Sequence, residues 1–346
     1  MLLGEHSVLH NQPAIVFAVN KQVTVELIPT NFNQIKIESE LGTHNIDLNN
    51  FNDSNSKKIE VVKPFEYVLQ AIQFLYPQLL KSRLDTETNI DANQQSQQSN
   101  SGYILRIDSE IKSDLGLGSS AAITVATVGA LLWCIKQQKP NQMEVFNLSY
   151  EVVLAVQAGL GSGADIAASI FGGVIAYENN YANVYASSPV KIEKLTEQLN
   201  ITALYSGYKT KTKDVIAKVN EACKQSPEIY SELYKLMGKC TRDGIESIKK
   251  NALIKLGKVM NIYQGLLAAL GVSDFCMDTM IEQLKSNSNN LGYKISGSGL
   301  GDCVIALYDD EYSNCDSDSG HKLNNVSTSQ FINIPVQISK SGLMYG

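Results

Sequence analysis

Asp114-Leu115-Gly116-Leu117-Gly118-Ser119-Ser120-Ala121-Ala122 is the stretch that decides the reading of this chain. It follows a β-rich segment, Tyr103-Ile104-Leu105-Arg106-Ile107, and opens a helical run of about four turns through Ala, Ile, Val and Leu to Trp133. Lys136-Gln137-Gln138-Lys139-Pro140 then stops the helix. Amides at a helix start have no partner within the helix, and glycines let a bulky anion come close to them. The arrangement suits a di- or triphosphate. A plain Ser N-cap after a glycine turn is the competing reading. The stretch lacks the Gly-Lys-Ser/Thr ending of a P-loop and the spacing of a dinucleotide-binding turn, so both of those are excluded.

Two further glycine segments accompany it. Gly159-Leu160-Gly161-Ser162-Gly163-Ala164-Asp165-Ile166-Ala167-Ala168-Ser169 sets one carboxylate among residues too small to cover it. Such a carboxylate can orient or deprotonate a substrate hydroxyl, or it can be an ordinary Asp cap. Ser296-Gly297-Ser298-Gly299-Leu300-Gly301-Asp302-Cys303 links two strands with more glycines than a hairpin needs, which points to close approach of a ligand to the backbone.

The chain has 346 residues, enough for two domains or one two-lobed domain. A hydrophobic fraction of 44% is that of a globular protein, and the net charge of −6 argues against nucleic acid as the main partner. Six cysteines without a C-x-x-C pair and only four histidines suggest neither a zinc cluster nor a disulfide framework, as expected in a reducing cytoplasm. The start of the chain lacks the pattern of a signal peptide, and no run of 18 apolar residues is read, so neither secretion nor membrane insertion is expected. Residues 31–60, 86–101 and 311–330 are polar tracts that read as solvated loops or insertions. From Asp214 to about Ser286 the apolar positions recur at helical spacing, with breaks at Ser226-Pro227 and Gly271, and strands return at Lys294-Ile295 and Cys303–Leu307. The expected class is α+β, divided at residues 1–185 and 186–346.

In their order and separation the glycine segments resemble the three motifs of the GHMP kinases. The first motif is similar to Gly4-Glu5-His6-Ser7-Val8-Leu9-His10 with Pro13-Ala14, the second to Gly116–Ala122 and the third to Lys294–Ala306. Tyr205–Lys213 and the Asp165 segment fit as well, so the resemblance spans nearly the whole chain outside the polar tracts. It implies a two-lobed GHMP kinase fold, with an N-terminal ribosomal S5-like α/β lobe and a C-terminal ferredoxin-like α/β lobe carrying a helical block. It also implies phosphorylation of a small-molecule hydroxyl by ATP with Mg²⁺, and it leaves room for a homodimer. Within the family, Gly4-Glu5-His6 and Asn261–Ser273 resemble mevalonate kinases, whereas Gly161–Ala168 and Gly301-Asp302-Cys303 are more like phosphomevalonate kinases. A fold that binds the ligand but has lost catalysis is the non-enzyme alternative.

The resemblance implies a role for each matching residue. Gly116, Leu117, Gly118, Ser119, Ser120 and Ala121 would wrap the ATP phosphates, with Gly297 and Gly299 in support. Ser120 would hold Mg²⁺, Asp165 would be the catalytic aspartate, and Glu5, His6 and Thr212 would lie near the substrate. Two positions depart from the pattern. The lysine usual five residues before the first motif's glycine would fall before Met1, and the position eleven before Asp165, where a magnesium-binding Glu is usual, is Leu154. Glu151, one turn earlier, is the candidate replacement.

Overall fold

The computed structural model describes residues 1–48, 59–87, 102–111, 118–179, 190–309 and 331–346; Gly116, Leu117 and Cys315 lie outside them. In chain order the first elements are β1 (Ala14–Phe17), β2 (Val23–Thr30), β3 (Gln34–Ser39), β4 (Gly42–Asp47), α1 (Glu66–Glu87) and β5 (Gly102–Ser109). There follow α2 (Ser119–Lys136), α3 (Gln142–Val156), α4 (Ala164–Phe171), β6 (Val174–Glu178), β7 (Lys191–Thr196) and β8 (Ile201–Lys209). The last are α5 (Thr212–Gln225), α6 (Pro227–Lys249), α7 (Leu253–Ala269), α8 (Phe275–Lys285), β9 (Asn290–Ser296), β10 (Gly301–Tyr308) and β11 (Ile332–Ile334).

These elements pack into two compact units, each drawn from segments far apart in the chain. Met1–Asn20 and Phe171–Gly342 belong to the first, Lys21–Lys112, Gly118–Ile170 and Leu343–Gly346 to the second. The reason is strand pairing over long separations: β1 pairs antiparallel with β6, with Ala14 opposite Tyr177. Local periodicity does not record such a partner.

In the first unit β1, β6 and β7 form one sheet, and a second sheet has the order β11-β8-β10-β9. Helix α7 lies against the edge strand β9. The approach is so close that a Cβ on Gly257 would stand 2.2 Å from the Leu291 carbonyl oxygen. An edge strand leaves amides unpaired, and burying them costs free energy unless a donor finds an acceptor. Here Asn261 Oδ1 accepts from the Tyr293 amide at 2.9 Å and Gln264 Oε1 from the Ile295 amide at 2.8 Å. These two residues of the 261–273 segment therefore serve the sheet. The helical block breaks once more than the periodicity shows, at Lys250–Ala252 between α6 and α7.

In the second unit the sheet order is β2-β5-β3-β4, with β3 parallel to β5. Part of the polar tract 31–60 is thus not a loop. Within Gln34-Ile35-Lys36-Ile37-Glu38-Ser39 the two isoleucines alternate with polar residues, and Ile35 and Ile37 are fully buried while the polar side chains stay partly exposed. A period of two in so short a segment is outweighed by its polar composition. Helices α1, α2 and α3 cover the core of this unit with Leu69 and Ile72, Val128 and Leu132, and Val145 and Phe146. Among the described residues α2 is the one helix long and apolar enough to cross a membrane, a feature the sequence reading did not register. Its Val125, Val128, Leu131 and Leu132 are buried, and it packs on α1, α3 and β2, which makes it a core helix.

Candidate active site

The first motif forms a tight turn held from below. Gly4 takes φ +117°, and a Cβ there would lie 2.4 Å from the Ala14 Cβ, so the motif's glycine is required by its contact with Ala14. The Tyr263 hydroxyl, reaching up from α7, accepts from the Gly4 amide at 3.1 Å and donates to the Glu5 carbonyl at 2.9 Å. Ser7 Oγ lies 3.1 Å from the same hydroxyl. Glu5 is 3% exposed and turned inward: its Oε1 accepts from Lys294 Nζ at 2.5 Å, and Lys294 is 0% exposed. Burial lowers the Lys294 pKa, opposed by the adjacent Glu5 carboxylate.

His6 comes next, in the left-handed region at φ 59° and 8% exposed. Its Nε2 donates to the Ser298 carbonyl at 2.9 Å. Since a carbonyl only accepts, Nε2 carries the proton and Nδ1 presents a lone pair. Burial lowers the pKa of this imidazole, with the Ser298 hydrogen bond and the Glu5 charge opposing, which favours the neutral ring.

The turn between β9 and β10 is packed on protein. Gly299, at φ +84°, would place a Cβ 2.4 Å from the Val272 carbonyl oxygen, and the Leu300 amide donates to that oxygen at 2.8 Å. A Cβ on Gly301 would meet the Tyr208 ring at 2.8 Å, and one on Gly297 would meet Asp302 Oδ2 at 3.0 Å. Asp302 is buried, 3.5 Å from Lys209 Nζ. Burial raises its pKa and Lys209 opposes the shift. Thr210 Oγ1 donates to the Leu300 carbonyl at 2.6 Å.

The second unit offers a different glycine. Gly118 is the N-cap of α2 at φ 78°, and no side chain caps the helix. Among the described residues a Cβ built there meets only Asp165 Cβ, at 4.0 Å. Of their side chains, then, only that of Asp165 comes near Gly118 at the start of α2. Asp165 sits in the first turn of α4, exposed, with no ion pair among the described residues. The loop before it is fixed by Ser162 Oγ, which accepts from the Ala164 amide at 3.2 Å, and by the Tyr150 hydroxyl, which donates to the Gly161 carbonyl at 3.2 Å.

The model of the GHMP kinases N terminal domain matches residues 67–173, and that of the GHMP kinases C terminal matches residues 245–314. A mevalonate kinase of Thermococcus gammatolerans is 32% identical over 320 residues, covering 89% of this chain and 86% of its own length. The chain belongs to the GHMP kinases. Membership makes it an ATP-dependent kinase of small molecules. A Pyrococcus horikoshii mevalonate kinase is 31% identical over 89% of this chain and 85% of its own. The crystal structure of the Methanococcus jannaschii mevalonate kinase has the same fold, at a TM-score of 0.70 and 23% identity over 97% of this chain and 95% of that one.

In this GHMP kinase the structure brings Gly118, Ser119 and Ser120 together at one helix start, with Asp165 beside Gly118. Three of the expected positions have surroundings that the sequence does not show. The Glu5 carboxylate is turned into the interior, where it pairs with Lys294. Gly299 is packed against the Val272 backbone. Thr212 is exposed at the first residue of α5, while Thr210 is the threonine tied to the third motif. Glu151 is exposed on α3, and no hydrogen bond or ion pair among the described residues brings it to Ser120 or Asp165. Lys294, Tyr263 and Thr210 carry no functional signal of their own in the sequence, apart from the lone lysine's place inside the β-rich run Tyr293-Lys294-Ile295.

Proposed function

We propose that this GHMP kinase transfers the γ-phosphoryl group of ATP to the primary hydroxyl of mevalonate, giving 5-phosphomevalonate for isoprenoid biosynthesis, in the cytoplasm. The observation that carries the reading is the start of α2 at Gly118, where among the described residues no side chain caps the helix and Asp165 is the near neighbour. Unpaired amides and the positive end of an 18-residue helix favour a phosphate there. Asp165 orients the acceptor hydroxyl or takes its proton. His6 offers Nδ1 as a hydrogen-bond acceptor to a substrate hydroxyl, because Ser298 holds its other nitrogen. The choice of mevalonate is supported by the similarity to the Thermococcus and Pyrococcus enzymes.

The residues present fit a magnesium ion that arrives with the nucleotide. Among the described residues no three His, Cys, Asp or Glu side chains gather to hold a metal. Mg²⁺ commonly keeps several waters and takes substrate phosphates plus one or two protein groups. Ser120, in the first turn of α2, would hold it; no contact among the described residues brings Glu151 there. When bound, the ion neutralises charge on the transferring phosphoryl group.

Phosphomevalonate is the second reading, favoured by Gly301-Asp302-Cys303. Against it, Lys209 of the Lys209, Lys211, Lys213 cluster already pairs with Asp302, which leaves less positive charge for a phosphate monoester. A coupled assay with Mg²⁺-ATP and mevalonate, phosphomevalonate, galactose or homoserine tests the proposal. Mevalonate should give the highest kcat/KM; faster turnover of any other acceptor refutes it.

A further inference from the structure

The interior beneath the first motif holds an ion pair that the phosphoryl-transfer chemistry does not use. Lys294 Nζ donates to Glu5 Oε1 at 2.5 Å and also to the Ile295 carbonyl, and it stands 5.5 Å from the centre of the Tyr263 ring. Neither residue reaches solvent appreciably, at 0% for Lys294 and 3% for Glu5, and Glu5 Oε2 has no hydrogen-bond partner among the described residues. Desolvating two charges is costly, and apolar residues in their place are often no less stable. A buried pair at this position therefore asks for a reason other than stability.

The geometry supplies one. Glu5 immediately precedes His6, whose φ of 59° is a conformation that residues other than glycine rarely adopt. Such a conformation persists only where its surroundings over-determine it. The Glu5 carbonyl is held by the Tyr263 hydroxyl, its carboxylate by Lys294, and the next amide, that of Ser7, donates back to the Glu5 carbonyl at 2.6 Å. Lys294 also lies on β9, the strand that leads through Ser296 to Ser298, the acceptor for His6. One ammonium thus binds both the residue before His6 and the strand that carries the partner of His6.

We propose that Lys294 is a positioning residue for acceptor binding: through Glu5 it locks the first-motif turn so that the His6 ring keeps its Ser298 hydrogen bond and presents Nδ1 outward. The kinetic part rests on the mevalonate reading above; the spectroscopic part does not. Lys294→Met leaves the Glu5 carboxylate buried without its partner, so the turn should open. The double variant Glu5→Gln with Lys294→Met removes that stranded charge and should let the turn close.

The test compares the wild-type chain, Lys294→Met and the double variant, with two readouts. The first is the acceptor KM beside kcat and the ATP KM. Lys294→Met should raise the acceptor KM about tenfold or more while the ATP KM moves less than about threefold, and the double variant should recover most of that loss. The second is the protected Nε2–H resonance of His6 in ¹⁵N-histidine spectra, assigned with His6→Gln. It should vanish in Lys294→Met and return in the double variant. Two results overturn the proposal: a folded Lys294→Met with wild-type acceptor KM and an intact His6 resonance, or a folded double variant in which neither readout recovers. If Lys294→Met does not fold, the double variant alone decides. If wild-type protein ignores mevalonate while the His6 resonance behaves as stated, the substrate reading fails and the positioning role stands.

Discussion

Gly118 and Gly299 both sit at positive φ in glycine-rich loops, yet they should respond to the same substitution in opposite ways. At Gly118 an added methyl meets no atom of the described residues nearer than Asp165 Cβ at 4.0 Å, so Gly118→Ala should incur the left-handed backbone cost of about 1 kcal/mol. That corresponds to a Tm drop of roughly 2–4 °C for a unit of this size. At Gly299 the same methyl would stand 2.4 Å from the Val272 oxygen and 2.8 Å from the Val272 Cβ, and the Leu300 to Val272 hydrogen bond would be pushed apart. Overpacking adds about 1–3 kcal/mol to the backbone cost, so Gly299→Ala should lose about 3 kcal/mol, or roughly 6–12 °C. Nucleotide binding should show the reverse order. A methyl at the α2 start displaces phosphate from one or two charge-assisted contacts of about 1.5 kcal/mol each, raising the ATP Kd about 10–100-fold. Gly299→Ala, measured well below its Tm, should change Kd by less than about threefold. Differential scanning fluorimetry and calorimetric titration with Mg²⁺-ATP read both quantities. An unchanged ATP Kd in Gly118→Ala, or a smaller Tm loss in Gly299→Ala than in Gly118→Ala, would refute the division of the two loops into ligand cradle and packing contact.

Asp165→Asn should lower kcat by about 10²-fold or more with ATP affinity nearly intact, as measured by steady-state kinetics beside direct binding; a near-normal kcat removes the residue from the mechanism. Lys209→Met strands the buried Asp302 carboxylate and should cost about 1–2 kcal/mol, allowing for the 34% of Lys209 that water reaches, whereas the Lys211→Met and Lys213→Met pair should leave Tm unchanged. Mevalonate phosphorylation should survive in both; its loss in the second variant would move the acceptor site onto that loop. The pKa values of His6 and His10 are lowered in the folded state, chiefly by burial. The unfolded chain takes up these protons first, so the stability they contribute is complete above about pH 6.5 and is lost as pH falls through the folded values. A plot of Tm against pH should slope downward below 6.5, less steeply in His6→Gln, and an unaltered slope counts against burial of a neutral ring.

The sequence by itself determined what depends on neighbours along the chain. The helix from Ser119 and the strands around Val23–Ile28 and Cys303–Leu307 follow from periodicity and turn chemistry, and the structure bears them out; the motifs resemble those of the GHMP kinases, the family to which the chain belongs. It could not tell one glycine from another, since Gly118 and Gly299 differ only in what stands opposite them in space. Nor could it show that β1 pairs with β6, that two isoleucines in a polar tract line a core, or that α7 completes the hydrogen bonds of an edge strand. Glu5 shows the limit most clearly. The family resemblance sets it near the substrate, and nothing nearby in the chain shows that its side-chain partner lies 289 residues away or that the carboxylate is turned inward. Local conformation is set by steric and hydrogen-bonding preferences a few residues wide, whereas the free energy of a charge depends on which distant surfaces close over it. Only the tertiary structure decides that.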